Sequence, residues 1–353
     1  MKIDERLRKN IRRLKGYSSA RSENGKQNDQ IIYLDANESP FENGLNRYPD
    51  PGQSAIRDLL SISLGVKAEK LFMGNGSDEI LDLLFRIFCE PGKDNVLVFP
   101  PTYGMYEVLA NVNDIKVKES PLNEDFSLNF EKTTTILDKN TKLIFLCSPN
   151  NPTGNSFSVQ DVKRLKKRSD AFIVIDEAYI DFSSKDSLIK AFNNDPQIIV
   201  IQTFSKSKSA AGIRLGYAIA DERIVNVLNK VKLPYNVSQL SQNAALNLLY
   251  GREKIVQNIS EILRLKYILQ EGLITLPNVI KIYPSDTNFL LVKFRNAELV
   301  YQHLLDSGIV VRDRSKELHC RNCLRITVGS LEQNNLLIKS LREYVREKDI
   351  VFG

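Results

Sequence analysis

Short apolar runs alternate with longer amphipathic stretches along the first part of the chain. Four of the runs are rich in Val, Ile and Phe and have the length of single strands: residues 95–99, 142–147, 171–176 and 197–204. Strands that are apolar throughout are buried on both faces, and strands that alternate with helices pair in parallel. The pattern predicts an α/β fold with a mostly parallel central sheet flanked by helices.

A different pattern follows after about residue 220, where long helical stretches precede three further apolar runs. These runs, at 288–294, 308–313 and 323–329, are typical of a smaller α+β domain. A chain of 353 residues also exceeds the length at which a single hydrophobic core stops growing. We therefore predict an N-terminal arm with part of the small domain over 1–44, a large domain over 45–245 and a small C-terminal domain over 246–353.

Polar segments come directly after the strands of the large domain. "PPTY", "SPNNPTG", "DEAY" and "SKSKSAAGIR" follow the four apolar runs in that order. In open α/β sheets, ligands bind at the carboxyl ends of the strands. The order of these segments therefore predicts a binding site at that edge of the sheet.

Asp176 and Lys206 are two charged residues that this topology could bring together. Asp176 ends one apolar run and needs a positive partner if it is buried, and Lys206 follows the next run, 30 residues later (206 − 176). A partly desolvated lysine has a lowered pKa and can attack a carbonyl carbon to form a Schiff base. The alternative is that Lys206 and Lys208 lie in a solvated loop and that Arg214 forms a surface ion pair.

The stretch "GNGSDEILDLLFRIF" combines a glycine turn with an amphipathic helix. Gly74 and Gly76 precede Ser77, so the free backbone N–H groups at the start of the helix could bind a phosphate. An ordinary helix start, with Ser77 as the cap and Asp78 and Glu79 in the first turn, explains the same residues. The stretch lacks the GK[ST] ending of a P-loop, which disfavours an NTPase.

Motifs from about Asn10 to the C-terminal region carry a resemblance that covers nearly the whole chain. "SPNNPTGN", "VIDEAY" and "SKSKSAAGIRLGY" resemble the cofactor motifs of pyridoxal-phosphate enzymes of the aspartate aminotransferase fold, fold type I, among the class II aminotransferases. The closer resemblance is to the histidinol-phosphate aminotransferase family, in "YLDANESP", "NRYPDP", "GNGSDE", "PPTYGMY", "PYNVS" and "LRITVG".

The resemblance implies that pyridoxal 5′-phosphate is the cofactor. Lys206 would form the internal aldimine and then move a proton between the substrate and the cofactor. Asp176 would pair with the pyridinium nitrogen. Asn151 and Tyr179 would donate hydrogen bonds to the ring oxygen, and Tyr103 would stack on the ring.

The resemblance also assigns the cofactor phosphate. Its ligands would be Gly76, Ser77, Asp78, Ser205 and Arg214. A helix start, a hydroxyl and a guanidinium suit a dianion, whereas helix capping explains Asp78 better. Tyr48, in "NRYP", would reach the phosphate from the partner subunit, which implies a homodimer with shared active sites.

For the substrates, the resemblance implies L-histidinol phosphate and 2-oxoglutarate, which would give imidazole-acetol phosphate and L-glutamate in histidine biosynthesis. Arg325 would bind the anionic group, and Arg312, thirteen residues earlier (325 − 312), would be a second phosphate ligand. Two guanidinium groups suit a dianion, although strand-edge ion pairs are the alternative. Tyr17 and Asn37 would close over the substrate.

Other functions stay open on the sequence alone. The nearest is an aromatic amino-acid aminotransferase of the same fold, followed by a phosphothreonine-type decarboxylase. A non-catalytic ligand sensor is the alternative from another class, although such regulators usually carry a DNA-binding domain, for which the N-terminal arm is too short. A serine hydrolase has no support, because the chain contains no G-x-S-x-G elbow.

The segment after the expected cofactor lysine departs from the family pattern. Ser207, Lys208 and Ser209 stand where an aromatic or large apolar residue is usual, so different packing is expected there. Lys208 is also the rival Schiff-base lysine. The intact "AGIRLG", which carries Arg214, favours Lys206.

The net charge is concentrated at the N-terminus. Residues 1–15 hold seven Lys or Arg against two acidic residues, so +5 of the net charge of +6 lies in this arm. Ile3, Leu7, Ile11 and Leu14 recur at helical spacing. We expect a basic amphipathic helix that docks on this protein or its partner subunit rather than on nucleic acid or a membrane.

Composition gives the remaining expectations. No apolar run approaches the roughly 20 residues of a membrane helix, and the N-terminus lacks the apolar core of a secretory signal. We therefore expect a soluble, cytoplasmic protein. The four cysteines predict no disulfide, and "HCRNC" lacks the second ligand pair of a zinc site, so no metal is expected.

Overall fold

The computed structural model of the protein describes residues 3–17 and 32–352, with side chains in the last helix through residue 346. The larger sheet contains β1 (Leu71–Gly74), β2 (Asn95–Val98), β3 (Lys116–Glu119), β4 (Thr141–Cys147), β5 (Phe172–Asp176), β6 (Ile198–Thr203) and β7 (Gly216–Ile219). Within this part of the chain the strand order is β1-β7-β6-β5-β4-β2-β3. Strands β2 to β6 pair in parallel, and only β7 runs against its neighbours. The predicted, mostly parallel sheet is confirmed.

Helices cover both faces of this sheet and form much of the C-terminal part. The described helices are α1 (Ile3–Arg6), α2 (Lys9–Arg12), α3 (Ser54–Leu64), α4 (Ser77–Phe88), α5 (Met105–Val112), α6 (Phe130–Ile136), α7 (Val159–Lys166), α8 (Ile189–Phe192), α9 (Glu222–Val231), α10 (Gln239–Tyr250), α11 (Arg252–Ile274), α12 (Ala297–Asp306) and α13 (Leu331–Phe352). Short 3₁₀ turns occupy Ala68–Lys70, Ile180–Phe182 and Ala211–Ile213.

Burial on both faces explains why the central strands are continuous apolar runs. In β4, Leu143 and Phe145 pack in the hydrophobic cluster that contains the α4 side chains. Ile144 and Leu146 point the other way, into the cluster that contains the α7 side chains. The four predicted runs form β2, β4, β5 and β6. The sequence did not reveal β3, because "KVKE" lies at the sheet edge and is only partly buried.

A second sheet follows in the C-terminal part of the chain. It consists of β8 (Val279–Ile282), β9 (Phe289–Phe294), β10 (Arg312–Asp313) and β11 (Cys323–Thr327), in the antiparallel order β10-β11-β9-β8. Side chains of β9 and β11 pack with α11, α12 and α13 in a separate hydrophobic cluster. Leu291 and Cys323 on the opposite face join the core of the large sheet. The predicted domain limits stay predictions.

The N-terminal arm packs on this chain but is not one helix. It is divided into α1 and α2 at Leu7 and Arg8, and the Arg8 N–H donates to the carbonyl of Ile87 at 2.9 Å. Ile3 and Leu7 are 1% and 6% exposed and join the cluster around α4. Across the described residues, none of the helices has the length and apolar character needed to cross a membrane.

Candidate active site

The carboxyl ends of β4, β5 and β6 meet at one edge of the larger sheet and form a cleft. Asp176 ends β5, Asn151 lies in the loop after β4, and Lys206 lies in the loop after β6. The cleft contains about 530 Å³ of empty space, including its open mouth. Its lining residues are Ser77, Asp78, Tyr103, Cys147, Asn151, Asp176, Ala178, Tyr179, Thr203, Ser205, Lys206 and Arg214.

Asp176 is a buried carboxylate at the floor of this cleft. It accepts hydrogen bonds from the Tyr106 hydroxyl at 2.9 Å and the Ala178 N–H at 3.1 Å. Among the described residues, no lysine, arginine or histidine lies within ion-pair distance of it. Burial raises the pKa of Asp176 to about 6. A carboxylate in this environment suits a positively charged ligand group.

Lys206 directs its amine toward the same space. Its Nζ lies 5.4 Å from the centre of the Tyr179 ring, and no described residue forms a hydrogen bond or ion pair with the amine. Burial and the nearby Arg325 guanidinium lower the pKa of Lys206. A lowered pKa increases the fraction of neutral amine, which is the form that attacks a carbonyl carbon.

Two tyrosines, Tyr103 and Tyr179, line the cleft. The Tyr179 ring packs edge-to-face on Phe289, with ring centres 5.3 Å apart. The Tyr103 hydroxyl donates to Asp78 Oδ1 at 3.1 Å. Burial raises the pKa of both phenols above the ordinary value, so both stay protonated and can donate hydrogen bonds at neutral pH.

An anion cradle lies where α4 begins. Gly76, in a left-handed conformation with φ of 79°, occupies the N-cap position, which corrects the expectation that Ser77 is the cap. A Cβ on Gly76 would lie 2.6 Å from Arg214 Nη2, so glycine lets the guanidinium approach the helix start. Arg214 also lies 3.4 Å from both Ser205 Oγ and Asp78 Oδ2. These donors suit a phosphate, and Asp78 also orients the Arg214 guanidinium.

Arg325 reaches the cleft from β11 of the second sheet. Its Nη1 donates to Asn151 Oδ1, and its Cζ lies 5.2 Å from the centre of the Phe289 ring. Its Nε is buried and, in the described part of the chain, has no hydrogen-bond partner. Arg312 pairs with Arg325 across the β10–β11 ladder, but its side chain is exposed.

Three further predicted residues, like Arg312, do not line the cleft of the single chain. Tyr17 is 77% exposed, and Asn37 is exposed in a left-handed conformation with φ of 55°. Tyr48 is 50% exposed and stacks on Tyr235, with ring centres 4.4 Å apart. Their expected roles therefore stay predictions.

Several lining or supporting residues were not predicted. Cys147 and Thr203 are the last residues of β4 and β6, so their positions at strand ends were the available signal. Tyr106 lies one helical turn beyond Tyr103 in the quoted "PPTYGMY" motif. Its hydrogen bond to Asp176 depends on how α5 packs against the sheet, which the sequence does not show.

The unusual "SKSKS" segment is held by an ion pair that points away from the cleft. Lys208 Nζ lies 2.9 Å from Asp181 Oδ2, and the Lys208 side chain is only 11% exposed. Ser207 donates to the same carboxylate oxygen. The pairing explains how polar residues replace an aromatic one here. It also leaves Lys206, and not Lys208, in the cleft.

The described residues contain no group of His, Cys, Asp and Glu side chains that could hold a metal ion. Cys320 and Cys323, from the CxxC sequence, are buried free thiols. Burial raises the pKa of Cys323 to about 11.

A buried carboxylate, a lysine with a lowered pKa and an anion cradle at one sheet edge suit an enzyme whose cofactor carries a phosphate and a carbonyl group. The chain belongs to the class I and II aminotransferases, whose family model matches residues 32–341. The cofactor of these enzymes is pyridoxal 5′-phosphate.

Two curated relatives match nearly the full length of this chain. A histidinol-phosphate aminotransferase from Christiangramia forsetii is 48% identical over 98% of this chain and 99% of that protein. Another, from Parabacteroides distasonis, is 46% identical over 96% of this chain and 98% of that protein.

Solved structures share the fold. The histidinol-phosphate aminotransferase from Clostridium acetobutylicum aligns with a TM-score of 0.78 at 23% identity, over 86% of this chain and 92% of that chain. The one from Sinorhizobium meliloti, in complex with pyridoxal-5′-phosphate, aligns with a TM-score of 0.77 at 22% identity, over 85% and 83%.

Proposed function

We propose that the protein transfers the amino group of L-histidinol phosphate to 2-oxoglutarate, which gives imidazole-acetol phosphate and L-glutamate in histidine biosynthesis. The observation that carries this assignment is Arg325, which donates to Asn151 in the cleft that contains Lys206. Arg312 lies opposite Arg325 in the β10–β11 register. The names of the near-full-length relatives support the same substrate.

The residues present fit pyridoxal phosphate. When bound, this cofactor supplies an aldehyde and an electron-withdrawing ring. Asp176 would keep the ring nitrogen protonated, because a buried carboxylate with a raised pKa gains most from a cationic partner. The cofactor phosphate would be held by the start of α4 at Gly76, Ser77 and Asp78, together with Ser205 and Arg214.

Lys206 is the proposed catalytic amine. Its Nζ would bind the cofactor's carbonyl carbon and later, as the free amine, accept the proton from the substrate's α-carbon. The lowered pKa favours both tasks, since each needs an unprotonated nitrogen.

Asn151 and Tyr179 would orient the ring oxygen. Arg325 already donates to Asn151 Oδ1, so the Asn151 amide NH₂ is left free to donate into the cleft. The protonated Tyr179 hydroxyl is a second donor, and the Tyr103 ring would cover one ring face.

The substrate anion would bind Arg325 and Arg312, with Tyr17 and Asn37 closing over it. We further propose that the protein is a cytoplasmic homodimer in which Tyr48 binds the cofactor phosphate in the site of the partner subunit. Apolar side chains on the segment before Tyr48 support an interface there: Ile32, Leu34 and Phe41 are 84%, 91% and 81% exposed. No nucleic-acid or membrane partner is part of this proposal.

The visible absorption spectrum of the protein with pyridoxal phosphate tests the assignment. We expect a yellow band that L-histidinol phosphate removes and 2-oxoglutarate restores. Lys206→Ala should lack the band, whereas the matched variant Lys208→Ala should keep it. Bleaching by phenylalanine alone would indicate the aromatic enzyme, and CO₂ release from threonine phosphate the decarboxylase. A band that no amine bleaches would favour a ligand sensor, and a wild-type protein without a band would contradict the Lys206 role.

A further inference from the structure

Arg314 lies on the same face of the second sheet as the arginine pair. Arg312 and Arg325 are directly opposite each other in the β10–β11 register. The Arg314 N–H donates to the Cys323 carbonyl at 2.9 Å, so the pairing continues for one more residue beyond Asp313. Since side chains alternate between faces along a strand, all three arginines belong to one face. This is the face from which Arg325 contacts Asn151 in the cleft.

The Arg314 side chain is partly exposed, and its hydrogen-bond donors are only partly satisfied. It is 19% exposed, and its Nη1 lies 3.2 Å from Glu317 Oε1. Its Nε is buried and, within the described ranges, has no acceptor. The Nε of Arg325 is in the same state. Two buried guanidinium donors without acceptors, on one sheet face beside the cleft, are the feature that an anionic ligand would complete.

The charge of Arg314 also affects the pKa values of Tyr179 and Arg325. The positive charges of Arg325 and Arg314 oppose the rise in the pKa of the Tyr179 hydroxyl that burial causes. The Arg325 pKa is lowered by burial and, in addition, by Arg314 and Arg312. Glu317 is the acidic side chain that pairs with Arg314. One carboxylate offsets only one of the three guanidinium charges, so the group of three arginines stays positive.

We propose that Arg314 is a third guanidinium of the substrate-anion site and that it selects a phosphate dianion over a carboxylate. The inference rests on the proposed function, because the phosphate belongs to the proposed substrate. A terminal phosphate presents three oxygens and up to two negative charges, whereas a carboxylate presents two oxygens and one charge. The bidentate geometry of Arg325 is enough for a carboxylate, and the additional donors of Arg314 benefit only the larger anion.

The test compares Arg314→Gln and Arg314→Lys with Arg321→Gln, a control that removes an exposed charge from the same loop. We expect Arg314→Gln to raise the KM for L-histidinol phosphate by roughly 10- to 100-fold with little change in kcat. The half-reaction with L-glutamate should change by less than about threefold. Arg314→Lys should recover part of the loss, and Arg321→Gln should behave like the wild type.

A residue that only ties the loop to Glu317 would give a different pattern. Its loss would disturb Arg325 and lower kcat for both substrates, and Glu317→Gln would reproduce that effect. A lower kcat for both substrates in Arg314→Gln, the same effect in Glu317→Gln, or an unchanged KM in Arg314→Gln would each overturn the inference.

Calorimetric binding of inorganic phosphate to the cofactor-loaded protein separates this inference from the proposed function. If the wild type binds phosphate and the Arg314→Gln variant binds it more weakly, but the wild type does not convert L-histidinol phosphate, the proposed substrate is wrong and the anion site stands. If phosphate binding is absent or independent of Arg314, the anion site is wrong.

Discussion

Relative to the wild type, the cofactor-free Asp176→Asn variant should become more stable as the pH rises from acid to neutral. Burial raises the pKa of this carboxyl from 3.8 to about 6. At about 1.36 kcal/mol per pKa unit, this difference corresponds to roughly 3 kcal/mol of destabilisation when the carboxyl is ionised. Asp176→Asn removes this penalty. Its single side-chain oxygen can accept from the Ala178 N–H, as Oδ1 does in the wild type, and its NH₂ group then replaces Oδ2, which accepts from the Tyr106 hydroxyl.

The sign follows from proton linkage. The folded protein binds the Asp176 proton more tightly than the unfolded chain does, so the penalty is absent well below the ordinary pKa of 3.8. It grows as the pH rises toward about 6 and is nearly complete above that value. The new Asn NH₂ group needs an acceptor, and leaving it without one costs about 1–3 kcal/mol at every pH. The change with pH is therefore the diagnostic quantity, and not the absolute difference.

Urea unfolding of cofactor-free wild type and Asp176→Asn, at one fixed protein concentration, measures this change. Between pH 4.5 and pH 8 the variant should gain about 2 kcal/mol relative to the wild type. Asp186→Asn is the control, because the Asp186 side chain is 75% exposed. A difference between variant and wild type that stays constant over this range would refute the reasoning. With pyridoxal phosphate bound, the wild type should become the more stable protein, since the carboxylate then has its cationic partner.

Three further outcomes are expected. Lys208→Met should lower the free energy of unfolding by about 1–3 kcal/mol, and a double-mutant cycle with Asp181→Asn in urea should assign most of this loss to the ion pair. Mixing inactive Tyr48→Phe and Lys206→Ala chains should restore up to about one quarter of wild-type activity, because half of the dimers would then contain one intact shared site; no recovery would exclude sharing. Arg325→Gln should reduce kcat/KM for both L-histidinol phosphate and L-glutamate by about 100-fold in steady-state assays, and an effect on only one substrate would contradict a common anchor.

The parallel sheet and its functional edge could be predicted because local patterns encode them. Four apolar runs correspond to four strands of the sheet. The polar residues at or just after the ends of these runs were enough to place Asp176, Asn151 and Lys206 at one edge. β7 was not predicted: "GYAI" is short, and its place between β1 and β6 depends on long-range pairing.

The hydrogen bonds and ion pairs around the site could not be predicted either, because they also depend on residues that are far apart in the chain. Arg325 and Asn151 are 174 positions apart in the chain, and their hydrogen bond depends on how the second sheet packs against the first. The place of Arg314 depends on the β10–β11 register, which a two-residue strand does not specify in the sequence. The "SKSKS" segment is similar, because Asp181, the partner of Lys208, lies 27 positions away.

The groups of the cleft share one property, which connects stability to function. Among the described residues, Asp176 is buried with no cation within ion-pair distance, the amine of Lys206 has no hydrogen-bond acceptor, and the Arg325 Nε is buried without a partner. Each arrangement lowers the stability of the free protein, and each is the complement of one part of a ligand: a protonated ring nitrogen, a carbonyl carbon and an anion. Hydrophobic packing on both faces of the sheet provides the stability that allows these groups to stay unpaired. A cofactor and a substrate that satisfy these groups would regain the free energy that folding left unused, and this gain would contribute to their binding.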